Sequence, residues 1–95
     1  MAKHAFVYIM ANYTHRVLYV GVTTNLKARA YRHRTGTGGK FTSQYHIKKL
    51  VYYECGESVY EAIRREKQLK SGSRLQKTKL ITSFNPGWRD LYDDV

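Results

Sequence analysis

The stretch from Phe6 to His33 constrains this chain more than any other. Phe6-Val7-Tyr8-Ile9-Met10 and Val17-Leu18-Tyr19-Val20-Gly21 are β-branched and aromatic runs, and the connection between them carries Asn12 and His15. Two runs suited to a pleated surface, joined by a short polar turn, predict an antiparallel hairpin. A basic helix follows from about Leu26 to His33, with Thr24 or Asn25 able to accept hydrogen bonds from its free backbone amides. Side chains alternate along a strand, so Phe6, Tyr8 and Met10 share one face while Val17, Tyr19 and Gly21 share another. Whether those faces coincide depends on register, which the residues leave open. Arg29 and His33 stand one helical turn apart and share a helix face.

Beyond the helix, Thr35-Gly36-Thr37-Gly38-Gly39 predicts a flexible loop leading into Lys40. It is not a phosphate-cradling P-loop, because Arg34 stands at the first glycine position and Phe41 at the hydroxyl position. Lys49 to Glu54 reads as a third strand. Ser58 and Glu61 match a capping box that opens a helix with apolar Val59, Ala62, Ile63 and Leu69. Ser71-Gly72 breaks it, and Ser73-Arg74-Leu75-Gln76 opens another helix, with Leu75, Leu80 and Ile81, that stops at Asn85-Pro86-Gly87. Trp88, Leu91 and Tyr92 are expected to fold back as apolar plugs, with Asp93 and Asp94 in solvent. No repeat, linker or low-complexity segment interrupts residues 1–95, and a chain of this length makes a single domain.

Charge narrows the function. Lys and Arg number 17 against 7 Asp and Glu, a formal charge of +10, and a field of that sign concentrates polyanions such as nucleic acid. Nine tyrosines argue for a folded domain over a basic tail. The lone Cys55 has no intramolecular disulfide partner, and His4, His15, His33 and His46 lack zinc-motif spacing. No apolar run approaches a membrane span and the amino terminus lacks a signal-peptide core, so the expected compartment is the cytoplasm.

Glu66 breaks the pattern of its helix. It lies three residues after Ile63 and three before Leu69, where an unpaired carboxylate is costly. The plain reading is a rim residue bridged to Arg29 or Arg65; the functional one is an oxygen ligand for a divalent cation, which commonly uses only one or two protein carboxylates. Tyr8 and Tyr19 can simply pack their rings, or a phenol beside cations can move a proton. Arg29 is either a solvated helix residue or a planar fork for a phosphate. His33 is a proton carrier or a polar neighbour of the sheet. Lys27, Arg32, Arg34, Lys40, Arg64, Arg65, Lys67, Lys70, Arg74 and Lys77, with Lys79, outnumber the acids available to neutralise them, which favours salt-sensitive contacts to a nucleic-acid backbone. Nothing predicts base-specific readout.

Taken in order, these positions resemble the GIY-YIG nuclease superfamily. Its first triplet is matched by Phe6-Val7-Tyr8 and its second by Tyr19-Val20-Gly21. Its helix motif is matched by Gly21-Val22-Thr23-Thr24-Asn25-Leu26-Lys27-Ala28-Arg29 followed by His33, and its late carboxylate lies within Ile63-Arg64-Arg65-Glu66-Lys67-Gln68-Leu69-Lys70. The resemblance covers nearly the whole chain and is closest to small single-domain bacterial members, which also end in a segment like Asn85-Pro86-Gly87-Trp88-Arg89-Asp90-Leu91. It implies an α+β fold, a small three-stranded antiparallel sheet flanked by about three helices. It also implies a catalytic face where Glu66 holds Mg2+ or Mn2+, Arg29 clamps the phosphate, Tyr8 or Tyr19 activates water and His33 assists proton transfer. The implied substrate is DNA, cut with little sequence preference. Phe6 replaces the first triplet's glycine, and Ser71-Gly72-Ser73 stands where relatives often carry tryptophan, which implies a looser junction between the last two helices. Larger members bring separate DNA-binding domains, so recognition here is expected to be structural or borrowed from a protein partner. A non-catalytic binding module and an RNA-associated factor are the other readings that the charge admits.

Overall fold

β1 (Ala5–Ala11) is the strand on which everything else is laid, in a computed structural model that describes residues 4–95. The expected single domain spans residues 1–95, of which residues 1–3, with that part of the amino-terminal call, lie outside the described residues. Antiparallel partners flank β1: β2 (Leu18–Thr23) on one side and β3 (Lys49–Gly56) on the other, giving the order β2-β1-β3. The helices are α1 (Leu26–Arg34), a short α2 (Lys40–Gln44), α3 (Val59–Ser71) and α4 (Arg74–Phe84), with a final turn of 3-10 helix at Tyr92–Asp94. A three-stranded antiparallel sheet with three main helices is the expected architecture; α2 is the addition.

A central strand is covered on both faces, and β1 shows it. Val7 and Ile9 pack with Ala62 and Leu69 of α3 and Ile81 of α4, while Tyr8 and Met10 pack with Leu26 and Ala30 of α1. Because neighbouring side chains point oppositely, α1 and the α3–α4 pair lie on opposite faces of the sheet. β3 must serve both layers. A bulge opposite Ile9/Met10 lets Val51 and Tyr52 join the α3–α4 side while Leu50 and Tyr53 stay with α1. The buried Asn85 amide donates to the bulged Val51 carbonyl at 3.2 Å and to the Arg89 carbonyl at 2.8 Å.

Local signals explain most element ends. Asn25, not Thr24, caps α1, accepting from the Ala28 amide at 3.0 Å. Ser73 and Gln76 form the expected capping box of α4. With the Lys77 ammonium on the Gly72 carbonyl at 2.7 Å, they tie down the α3–α4 junction that was expected to be loose. The box at α3 is half made: Ser58 accepts from the Glu61 amide at 3.2 Å, but the Glu61 carboxylate pairs with Arg64 at 3.6 Å. The apolar stripe on α3 is also narrower than predicted, since Ala62 and Leu69 are buried whereas Val59 and Ile63 are exposed. Leu75 on α4 is exposed too. At the C-terminus Leu91 is buried, and its amide donates to the Leu50 carbonyl at 2.8 Å. Asp94 is not merely solvated, because it pairs with Arg89 at 2.5 Å.

Candidate active site

Register settles the question that the strands left open. Tyr8 is paired with Gly21 and Met10 with Tyr19, so the two tyrosines stand on the same face, one step apart diagonally, with ring centroids 6.3 Å apart. Gly21 is glycine for space. A Cβ there would lie 2.5 Å from the Tyr8 hydroxyl oxygen, a distance that no packed side chain tolerates.

α1 lies across this face and delivers His33 between the phenols. The imidazole centroid is 5.7 Å from that of Tyr8 and 5.5 Å from that of Tyr19. Its Nε2 is 3.0 Å from the Tyr8 hydroxyl, while its Nδ1 is buried with no hydrogen-bond partner among the described residues. Tyr8 is 0% and His33 1% exposed, so this pair is dry; Tyr19 is only half-buried.

The electrostatics follow from that dryness. Burial, then the neighbouring Tyr19, push the Tyr8 phenol up to about 12. The Arg29 guanidinium pulls the other way, and the Glu66 carboxylate adds a smaller upward push. Burial first, then Arg29 and Arg32, push the His33 imidazole down to about 4. Near neutral pH the pair is therefore an un-ionised phenol against an un-ionised imidazole, with cations around it. Against those cations the described residues set only the weakly acting Glu66 carboxylate, and a phosphate supplies a second anion.

Glu66 is half-buried on α3, which packs against both β1 and β2. Its recorded partner is Lys70, one turn on, at 3.3 Å, in place of the expected Arg29 or Arg65. Arg65 instead meets Glu54 at 2.7 Å, and Glu54 also accepts from the Tyr52 hydroxyl. Among the described residues no cluster of three or more His, Cys, Asp or Glu side chains could hold a metal ion. One carboxylate is the donor set on offer.

Ten of the eleven basic residues named from the sequence divide by what they already touch. Lys27 and Arg34 lie over the Tyr92 ring, 3.7 Å and 4.4 Å from its centroid, and Arg34 also pairs with Asp90 at 3.5 Å. Arg64, Arg65 and Lys70 are in the ion pairs above, and Lys77 is on the Gly72 carbonyl. Arg74 donates to the carbonyls of His15 and Arg16 in the β1–β2 turn. The side chains of Arg32, Lys40 and Lys67 are exposed and, among the described residues, make no ion pair or hydrogen bond.

Sequence reasoning passed over the aromatic rim of this site. Phe41 on α2 lies 6.4 Å from Tyr19 and 4.9 Å from Tyr45, centroid to centroid, and the two are 49% and 44% exposed. The signal was two aromatics within Lys40-Phe41-Thr42-Ser43-Gln44-Tyr45, an otherwise polar segment. The preceding glycines also behave differently from the flexible loop expected of them. They fold back onto α1, with the Gly36 amide on the His33 carbonyl at 3.1 Å and the Thr37 amide on the Arg32 carbonyl at 2.8 Å.

Comparison with known proteins accords with this geometry. The family model of the GIY-YIG catalytic domain matches residues 4–79. A UPF0213 protein of Staphylococcus haemolyticus is 46% identical over 81 residues, covering 85% of this chain and 96% of that protein. One of Staphylococcus epidermidis is 38% identical over 81 residues, with the same shares covered. The solution NMR structure of a UPF0213 protein from Bacillus halodurans superposes with a TM-score of 0.57 at 29% identity over 92% of each chain. A match to the family model over most of its length, relatives of this identity and a shared fold show that the chain belongs to the GIY-YIG family of nuclease domains.

Proposed function

We propose that this single domain, residues 1–95, is a divalent-metal-dependent endonuclease that hydrolyses DNA backbones with little sequence preference. The observation that carries the reading is the dry Tyr8–His33 pair beside half-exposed Tyr19, with Arg29 close enough to act on both titrating rings. Arg29 clamps the scissile phosphate and offsets charge as the bond to the leaving oxygen breaks. Tyr19, the phenol that solvent reaches, orients the attacking water and relays its proton outward, releasing its own hydroxyl proton to solvent as it accepts the water's. Tyr8 and His33 hold Tyr19's surroundings fixed, since neither is reachable by water in the free protein.

Glu66 fits one Mg2+ or Mn2+ ion in its donor chemistry, as a lone carboxylate of the kind such ions use alongside water and substrate oxygens. When bound, the ion would neutralise charge on the phosphate. Exposed Arg32, Lys40 and Lys67 suit backbone contacts, and the already partnered Lys27, Arg34, Arg64, Arg65, Lys70, Arg74 and Lys77 add to the field. Phe41 and Tyr45 suit stacking on an unpaired base, which favours branched, damaged or single-stranded forms as substrate. No helix among the described residues is long and apolar enough to cross a membrane, and a cytoplasmic role beside the nucleoid, with a protein partner for targeting, fits the charge.

The test is nicking of plasmid and branched DNA with Mg2+ or Mn2+. Glu66→Ala and Arg29→Ala, both folded, should each lose about 1,000-fold in rate. Undiminished cleavage by both variants ends the proposal. A second reading, a non-catalytic nucleic-acid binder, draws on the Glu66–Lys70 pair, which already occupies the carboxylate. Salt-sensitive binding of DNA or RNA without metal-stimulated cleavage on any of these substrates would favour it.

A further inference from the structure

Glycines press on both members of the Tyr8–His33 pair. Gly21 backs Tyr8. On the other side, a Cβ at Gly38 would lie 2.4 Å from His33 Nδ1 and 2.9 Å from two ring carbons. Gly36 and Gly39, its companions in the loop, adopt φ of 83° and 149°, values that favour glycine for backbone reasons. Gly38 is not among the positive-φ glycines, so its backbone accepts a side chain, and the nearest atoms that side chain would meet are those of the imidazole.

The ring could yield only by moving. Its opposite edge is engaged with the Tyr8 hydroxyl at 3.0 Å, and its flank faces Tyr19. The loop cannot easily retreat either. The Thr37 amide and hydroxyl both reach the Arg32 carbonyl, at 2.8 Å and 3.3 Å, and the Thr35 and Thr37 hydroxyls are 3.2 Å apart. Nδ1 is left buried and, among the described residues, unpartnered because the wall in front of it is a bare glycine.

We propose that Gly38 is a positioning residue: its missing side chain lets the 35–39 loop close on the edge of His33, which seats Nε2 on the Tyr8 hydroxyl and keeps water from Nδ1. This rests on the nuclease reading only for its effect on rate; the seating itself is a property of the fold. An added methyl group rotates or displaces the imidazole, breaks the bond to Tyr8 and shifts the phenol backing Tyr19. A displacement of about 1 Å in such a constellation costs on the order of 100-fold in rate.

The experiment is Gly38→Ala, with Gly87→Ala as control because nothing lies within 4 Å of a Cβ there. The imidazole 15N and 13C shifts of His33 in isotopically labelled protein report the seating directly, without metal or substrate. They should move in Gly38→Ala and stay in Gly87→Ala. On a nickable substrate kcat should fall about 100-fold with KM held within about twofold. In a His33→Ala background the Gly38→Ala change should add nothing further. If Gly38→Ala fails to fold, recovery of folding in the double variant supports the proposal and continued failure overturns it. Unmoved His33 shifts in folded Gly38→Ala overturn it whatever the activity. A wild type that cuts nothing, yet shows the shift, sinks the nuclease reading and leaves the seating intact.

Discussion

The two faces of this sheet are built from the same strands and do opposite things. On the α3–α4 face, β1 contributes Ala5, Val7, Ile9 and Ala11, packed with Val20, Val51 and a single phenol, Tyr52, into a mainly aliphatic layer. On the α1 face the same strand contributes Phe6, Tyr8 and Met10, and the layer includes phenols and a buried histidine. A period of two lets one strand carry both programmes without interference. The aliphatic side supplies stability that the other side gives up by burying polar atoms, one of them unpartnered among the described residues. Apart from Glu66, which α3 carries, the proposed chemistry gathers where the core is least comfortable.

The sharpest way to break that comparison is to cut one residue from each face. Ile9→Ala should cost about 2–5 kcal/mol of stability, measured by denaturant unfolding, because Ile9 is wholly buried. Its folded fraction should still cut at the wild-type rate. Tyr8→Phe should do the reverse, costing about 1–2 kcal/mol for the lost bond to His33 while the cleavage rate falls about 100-fold. Equal losses of rate in both variants would mean that the faces are not separable.

The next effect is a pH dependence centred on the α1 face. His33 sits at about 4 in the folded protein against its ordinary 6.5. The unfolded chain therefore takes up the proton first as pH falls. Stability from this group is whole above about 6.5, declines between there and about 4, and is gone below; the difference is about 3 kcal/mol. Urea unfolding at pH 7 and pH 4 should show that drop in wild type and lack it in His33→Gln, which keeps a hydrogen-bonding group and cannot be protonated. Matching slopes in the two proteins would mean that the imidazole is wet.

Phe41→Ala carries a smaller effect, on binding alone. Loss of one stacked base should weaken binding of a single-stranded oligonucleotide by about 1–3 kcal/mol in metal-free fluorescence anisotropy, with duplex binding little changed. Equal loss on duplex would point to a backbone contact and remove the unpaired base from the proposed substrate.

What could be read in advance divides along the same faces. The strands were legible because β-branched and aromatic residues declare a pleated surface, and α4 because Ser73 and Gln76 are a local device with local partners. Register was not legible, since alternation is satisfied by any even shift, and only the fit of Tyr8 over Gly21 selects one. The Thr35 to Gly39 loop misled for a related reason. Glycine there reads as freedom, yet Gly38 is shaped by a ring that the preceding helix brings to it. Glu66 is visible as a break in a pattern, but its partner is not: the sequence suggests Arg29 or Arg65, and packing gives Arg65 to Glu54 and leaves Glu66 to Lys70.

The smallest expected effect asks how far the α1 face depends on its helix being held at the start. α1 has no acidic residue in its first turn and no reciprocal box, so the Asn25 side chain on the Ala28 amide at 3.0 Å is its N-terminal anchor. α4 has both halves of a box at Ser73 and Gln76. Asn25→Ala and Ser73→Ala should each cost about 1 kcal/mol of stability. The consequences should then part company, because α1 carries Arg29 and His33 whereas α4 contributes Ile81 to the aliphatic layer. Fraying the first turn of α1 loosens the helix one turn before Arg29, so Asn25→Ala should lower the rate several-fold while Ser73→Ala leaves it unchanged. If Ser73→Ala slows cleavage as much as Asn25→Ala, the division of labour fails, and a rigid whole rather than a specialised face would be what sets the rate.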